Sequence, residues 1–128
     1  MKFDKAGRGI IFDIGEITFG NFYAHSGTDG QSRANRENFC SETIPSLLTS
    51  QQSSGCFGGD FNMIIDKQDA TIILASKLSP SFKRLIQTFK WTDSYRKLHP
   101  KTEQFSRYYG GTRGEGKLEL IAATTMEI

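Results

Sequence analysis

The chain has 128 residues, of which 37% are hydrophobic, 12% aromatic and 23% charged. That is room for one core and one domain, and it excludes a disordered acidic or basic tail. Sixteen Lys+Arg against fourteen Asp+Glu leave a net charge of +2, which neither demands nor excludes a nucleic-acid partner. Two cysteines make no disulfide framework and fit a reducing compartment. The apolar runs Ile10–Phe12 and Ile72–Ala75 fall far short of the roughly 20 residues of a spanning helix. The N-terminus Met1-Lys2-Phe3-Asp4-Lys5 lacks the apolar stretch of a secretory signal. The expectation is a soluble intracellular protein with no membrane partner.

In chain order, Arg8–Ile14 and Ile17–Tyr23 are runs of β-branched and aromatic residues joined by Gly15-Glu16, which predicts a hairpin with a type II′ turn. Ile17, Phe19, Asn21 and Tyr23 share one face of the second strand by the period of two. Ala24–Gln31 reads as a loop. A helix is predicted over Ser32–Leu48, with Cys40, Ile44, Leu47 and Leu48 at helical spacing and Pro45 kinking it or starting a fresh turn. After a polar loop at Thr49–Gly55, Cys56–Ile65 reads as a buried strand ending in Asp66-Lys67-Gln68-Asp69. Ser79 caps a second helix with Pro80 at its first position and Phe82, Leu85, Ile86 and Phe89 on its apolar stripe. Trp91 is a core anchor behind it, and Asp93 caps a short turn that stops at His99-Pro100. Phe105–Tyr109 and Leu118–Ala122 are strand candidates around a glycine-rich loop, Gly110–Gly116. Alternating strands and helices point to a mixed α/β sandwich.

Gly58-Gly59-Asp60-Phe61-Asn62 is where chemistry concentrates. If the strand continues through it, Asp60 and Asn62 point one way and Phe61 the other. A carboxylate that orients or deprotonates water, beside an amide that donates to a developing oxyanion, is a hydrolytic pair. The same residues also suit a plain strand-to-turn exit with side-chain capping. His25 and His99 lack metal-ligand spacing, and Cys40 and Cys56 read as core thiols. Gly110–Lys117 carries no phosphate-loop pattern. Arg107, Arg113 and Lys117, close to Tyr108 and Tyr109, are either solvated surface or a track for a nucleic-acid backbone.

The pentapeptide resembles the GGDFN signature of the endonuclease/exonuclease/phosphatase superfamily, and most closely the apurinic-type endonuclease domains of non-LTR retrotransposons. Other blocks agree in order and spacing. Asn21-Phe22-Tyr23-Ala24-His25-Ser26-Gly27 is similar to an N-x-Y-A-P-S-G strand end, with His25 where proline is usual. Arg36-Glu37-Asn38-Phe39 with Ile44-Pro45 and Leu47-Leu48 resembles R-x-x-F…L-P-x-L. Asp69 falls where such domains often carry an acid. Trp91-Thr92-Asp93-Ser94-Tyr95-Arg96-Lys97-Leu98-His99-Pro100 resembles the D-x-(W/Y)-R-x-L-H-P block, and Phe105-Ser106-Arg107-Tyr108-Tyr109 resembles the F-T-x-Y strand that follows. The resemblance covers about residues 8–109, with 110–128 divergent.

It implies part of a four-layer α/β/β/α sandwich and hydrolysis of DNA phosphodiester bonds with Mg²⁺ or Mn²⁺. Asp60 would activate water and approach the metal, Asn62 would stabilise the scissile phosphate, and Tyr23 would bond the same phosphate. DNA is the implied partner, with no sign of an obligate protein partner, and the retrotransposon setting implies a nuclear location and target-site nicking. The family's upstream Glu and Asn and its terminal S-D-H segment have no match here. Lys117-Leu118-Glu119-Leu120-Ile121 only echoes S-R-I-D-x-I, with Glu119 at the supporting acid. The whole of 1–128 is therefore expected to be one incomplete domain. Two alternatives stay open: a catalytically dead remnant that binds nucleic acid or a partner, and a phosphatase of the same superfamily.

Overall fold

The computed structural model describes residues 1–48, 54–66, 78–102 and the backbone of 126–127. The strands are β1 (Lys2–Phe3), β2 (Gly9–Ile14), β3 (Ile17–Tyr23), β4 (Gly55–Asp60), β5 (Thr92–Asp93) and β6 (Met126–Glu127), and the helices are α1 (Gly30–Asn38), α2 (Ile44–Leu47), α3 (Pro80–Phe89) and α4 (Ser94–Leu98). The strands form one sheet in the order β1-β2-β3-β4-β6-β5. Among these strands the pairing of β3 with β4 is parallel and the other pairings are antiparallel; outside them Ile64 and Leu78 form an isolated parallel bridge. The mixed α/β architecture is the expected one, and it supplies a helical layer on one face of a sheet.

The hairpin forms as the pattern predicts. Ile14 pairs with Ile17 across the turn, and Gly15 takes φ +62° while Glu16 stays out of the left-handed region, the arrangement of a II′ turn. The first helix starts two residues earlier than predicted, because Asp29 caps it: its side chain accepts from the Ser32 N–H at 2.9 Å. Pro45 explains the break between α1 and α2. It has no N–H to donate, and a π-helical turn over Phe39–Thr43 lets the Ile44 N–H bond the Phe39 carbonyl instead. Ser79 and Asp93 cap α3 and α4 as expected, accepting from the Phe82 and Arg96 N–H groups at 3.0 and 2.8 Å.

The expected strand Cys56–Ile65 is corrected: it ends at Asp60. Asn62 sits at φ +51°, a left-handed backbone that cannot continue a ladder. The strand candidates Phe105–Tyr109 and Leu118–Ala122, the loop Gly110–Gly116, and Asp69, Arg107, Arg113, Lys117 and Glu119 lie outside the described residues.

Between sheet and helices the core is aromatic. Phe57 and Trp91 stack with ring centroids 4.7 Å apart, Phe22 lies 6.1 Å from Phe57, and Phe61 meets Phe82 at 4.7 Å. Cys40, Ile44, Leu47 and Leu48 are buried with them, so the predicted stripe of the first helix is the one used. Gly20 and Gly55 leave room for the Phe57 ring, which a Cβ at either position would strike.

The other sheet face is a different surface. Register places Ile10 with Asn21 and Gly58, Phe12 with Phe19 and Cys56, and Ile14 with Ile17. Phe12, Ile14 and Ile17 are 36%, 62% and 46% exposed. Cys56 is therefore a half-buried thiol on this face, a correction to its reading as a core residue. An apolar patch of this kind attracts other apolar surface. The chain is expected to brighten a hydrophobic dye and to self-associate with concentration, and the paired change Phe12→Lys with Ile14→Lys to reduce both. A dark, monomeric solution of the unmodified chain would contradict an open face.

Candidate active site

At one end of the sheet the register brings a cation, a phenol and a carboxylate into a row. Tyr23 ends β3 directly beside Asp60 at the end of β4, and both side chains are exposed. On the other side of Tyr23, its N–H bonds the Arg8 carbonyl at 2.7 Å, and the Arg8 guanidinium lies 5.2 Å from the Tyr23 ring centroid. Neighbouring strands are about 4.8 Å apart, so the three groups converge on one patch of the open face.

Asn62 is placed differently from the sequence expectation. Asp60 is exposed, whereas Asn62 is 1% exposed and Phe61 2%, so Asp60 and Asn62 do not share a face by alternation. The reason is backbone: Gly59 at φ +135° and Asn62 at φ +51° break the period of two. The two residues are nonetheless tied, because Asp60 Oδ1 accepts from the Asn62 N–H at 3.0 Å. The Asn62 amide donates to the Ala24 carbonyl at 3.1 Å, pinning the exit of β3 to the exit of β4. A side-chain amide has two N–H donors; one goes to Ala24, and the acceptor Oδ1 is buried without a partner among the described residues.

Gly59 makes this approach feasible. A Cβ there would run into the Phe22 backbone, whereas a Cβ on Gly58 would meet nothing within 4 Å. The two glycines of the signature thus differ: Gly59 permits strand contact, and Gly58 leaves open space in front of the row.

Behind the row stands a buried scaffold. Arg36 is 1% exposed and donates to the carbonyls of His25 and Gly27 at 3.0 and 2.7 Å, holding the loop that follows Tyr23. Glu37 accepts from the Ser81 N–H at 2.9 Å and so joins α1 to the start of α3. These contacts give a structural role to a pair that the sequence marks only as a helix motif; a charged pair at the base of an amphipathic helix is the signal, but its partners are remote in the chain.

Burial and the positive charges of Arg8 and Arg36 lower the pKa of His25 from its ordinary value, which favours a neutral ring. Burial pushes the Cys40 thiol up to about 12, so Cys40 stays protonated and is no nucleophile. Burial works against the Glu37 charge, but hydrogen bonds from Ser79 and Ser81 outweigh it and hold the carboxyl below its usual range. A depressed carboxyl stabilises the fold above the unfolded-state pKa, and that contribution fades as pH falls through the folded one. Glu37→Gln is expected to cost about 1 kcal/mol near neutrality and to flatten the loss of stability on acidification. Urea melts at a series of pH values check this.

Among the described residues no three His, Cys, Asp or Glu side chains gather into a metal-holding group. His99 lies on the turn beyond α4, its ring 4.8 Å from Tyr95. A groove of about 310 Å³ lined by Cys40, Pro45, Arg84, Leu85 and Phe89 belongs to the helical layer and shares no residue with the Arg8-Tyr23-Asp60 row. No helix among the described residues is long and apolar enough to cross a membrane.

No family model matches the chain, and no curated protein matches it in sequence. Solved structures do match. An AP endonuclease from Archaeoglobus fulgidus superposes with a TM-score of 0.71 at 17% identity, over 96% of this chain and 53% of its own. A 3′ phosphatase from Neisseria, bound to a product DNA hairpin, gives 0.61 at 19% identity, over 97% and 53%. A 3′-5′ exonuclease from Neisseria meningitidis gives 0.59 at 18% identity, over 94% and 52%. The chain therefore spans about half the length of the structures it matches. What it shares with them is the fold: the α/β fold of AP endonuclease-like and exonuclease/phosphatase-like enzymes.

Proposed function

We propose that this chain carries the phosphate-facing half of a site that hydrolyses DNA phosphodiester bonds. The observation behind the reading is the register of Tyr23 with Asp60 at one sheet end, locked by Asn62 through Ala24 and Asp60. Asp60 is exposed and accepts one backbone N–H, which leaves lone pairs for a water. It orients that water for attack on phosphorus and takes its proton, while the P–O bond to the departing sugar oxygen breaks and that oxygen takes a proton from solvent. The Tyr23 hydroxyl donates to a non-bridging oxygen, and the second Asn62 N–H supports the same charge where a substrate oxygen reaches it.

Mg²⁺ or Mn²⁺ belongs to this reading through the sequence resemblance. The described residues offer one carboxylate at this corner and do not make a cation cage, so no step here is routed through a metal. Mg²⁺ keeps most of its waters on so few ligands. Calorimetry on the chain is expected to show no micromolar Mg²⁺ site. A tight site abolished by Asp60→Ala would mean that further ligands converge on Asp60.

The preference for DNA is supported by the L-H-P block at Leu98-His99-Pro100 and by the product DNA hairpin bound to one of the matched structures, and the retrotransposon setting, with nuclear target nicking, rests on the sequence resemblance. The test is a chimera joining this chain to the complementary half of the Archaeoglobus AP endonuclease, assayed on plasmid, abasic duplex and phosphoinositide substrates. Nicking of DNA supports the reading; release of phosphate from phosphoinositides alone would assign the chain to the phosphatases. A binding-only remnant is the second reading, and an inactive but DNA-binding chimera would support it.

A further inference from the structure

We propose that Arg8, seated on the ring of Tyr23, is a phosphate-binding residue that grips the DNA backbone beside Asp60. This rests on the reading of the site as a DNA hydrolase. The sequence resemblance assigns Arg8 no role, and its place emerges only from strand pairing.

Geometry carries the inference. Gly9 pairs with Phe22 and the Tyr23 N–H bonds the Arg8 carbonyl, so Arg8 stands opposite Tyr23, which stands opposite Asp60. The Arg8 side chain meets Tyr23 twice, over the ring at 5.2 Å and through Nη1 to the Tyr23 carbonyl at 3.3 Å. A guanidinium has five N–H donors in a planar fork. Among the described residues its only side-chain hydrogen bond is that one to the Tyr23 carbonyl, and no carboxylate neutralises it.

The backbone beneath Arg8 is built to hold still. Asp4 Oδ1 accepts from both the Arg8 and Gly9 N–H groups, at 2.6 and 2.5 Å, and Asp4 Oδ2 accepts from the Ala6 N–H at 3.0 Å. The Asp4 N–H in turn bonds the Gly9 carbonyl at 3.0 Å. One carboxylate thus closes the turn from β1 to β2, and its charge is used on backbone rather than on the guanidinium. Stacking on a tyrosine leaves a guanidinium less hydrated and restricts its torsions before any ligand arrives. A fork of free donors, fixed in direction beside a phenol hydroxyl, matches the oxygens of a phosphodiester.

Tyr23 then acts twice: its hydroxyl meets one phosphate oxygen, and its ring aims the cation at another. Gly58 contributes by omission, since the space before it is open. A solvated surface arginine has no such pinned turn and no such partner ring.

The test is the salt dependence of DNA binding by the full chain, read by fluorescence anisotropy on a labelled duplex hairpin. Arg8→Gln is expected to lower affinity about tenfold at low salt and to reduce the slope of log K against log salt by about one, the signature of one lost phosphate contact. Arg8→Lys is expected to keep the slope and lose part of the affinity, because the charge stays while the fork goes; it also serves if Arg8→Gln melts early. Lys83→Gln, on the exposed side of α3, is expected to change neither. An Arg8→Gln protein with the slope of the unmodified chain overturns the proposal, whether or not its affinity falls, since Arg8 would then only position Tyr23. An equal loss of slope in Lys83→Gln overturns it too, as diffuse attraction. Absence of any DNA binding by the unmodified chain overturns the parent reading together with this one, whereas normal binding with an indifferent Arg8 removes this one alone.

Discussion

Asp60→Asn is expected to lower strand cleavage by the completed domain about a hundredfold or more, the scale of a positioned general base. The change keeps the side chain's shape and an oxygen that accepts the Asn62 N–H, now 3.0 Å from Asp60 Oδ1. It removes the negative charge and the basicity. Single-turnover cleavage of a labelled duplex under excess enzyme measures the chemical step directly. Tyr23→Phe is expected to cost less, about tenfold, because other donors share the phosphate charge. Asn62→Ala is expected to lower both cleavage and melting temperature, since the amide is buried and holds the Ala24 carbonyl at 3.1 Å. A chimera that cleaves DNA and ignores Asp60→Asn would remove this strand end from the chemistry.

The second large effect is on folding. Gly59→Ala is expected to abolish the cooperative fold, and Gly58→Ala, one residue away, to leave it nearly unchanged. Gly59 has φ +135°, and a Cβ on it would collide with the backbone of Phe22. Backbone strain of this kind costs about 1–3 kcal/mol before any collision is counted, out of a total stability of only about 5–15 kcal/mol for a domain. Relief would require β3 and β4 to separate, which unstacks Phe22 from Phe57 and undoes the Asn62 tie. At Gly58 a methyl group enters open space. Thermal melts by circular dichroism, with soluble yield beside them, distinguish the two variants; similar melts would show that the close approach of β3 and β4 is dispensable.

Local order was legible in the chain because its causes are local. The hairpin needed only alternation and a glycine where φ is +62°, and α3 needed only Ser79, Pro80 and the stripe from Phe82 to Phe89. Trp91 and the residues Cys40, Ile44 and Leu47 went to the core because they are apolar and correctly spaced. The candidate site was legible in part: Tyr23, Asp60 and Asn62 stood out through motif resemblance, and the first two do meet at one sheet end. What the period of two misjudged was Asn62, since Gly59 at φ +135° and Asn62 at φ +51° break the alternation and leave the Asn62 amide itself buried. Which residue lies across from which is decided by strand pairing, and pairing joins positions far apart in sequence. Hence only the tertiary structure put Arg8 beside Tyr23, tied Asn62 to Ala24, set Glu37 under α3 and moved Cys56 from the core to the open face. Propensity and periodicity act over a turn or a strand, whereas the chemistry of this corner depends on contacts closed by the sheet as a whole.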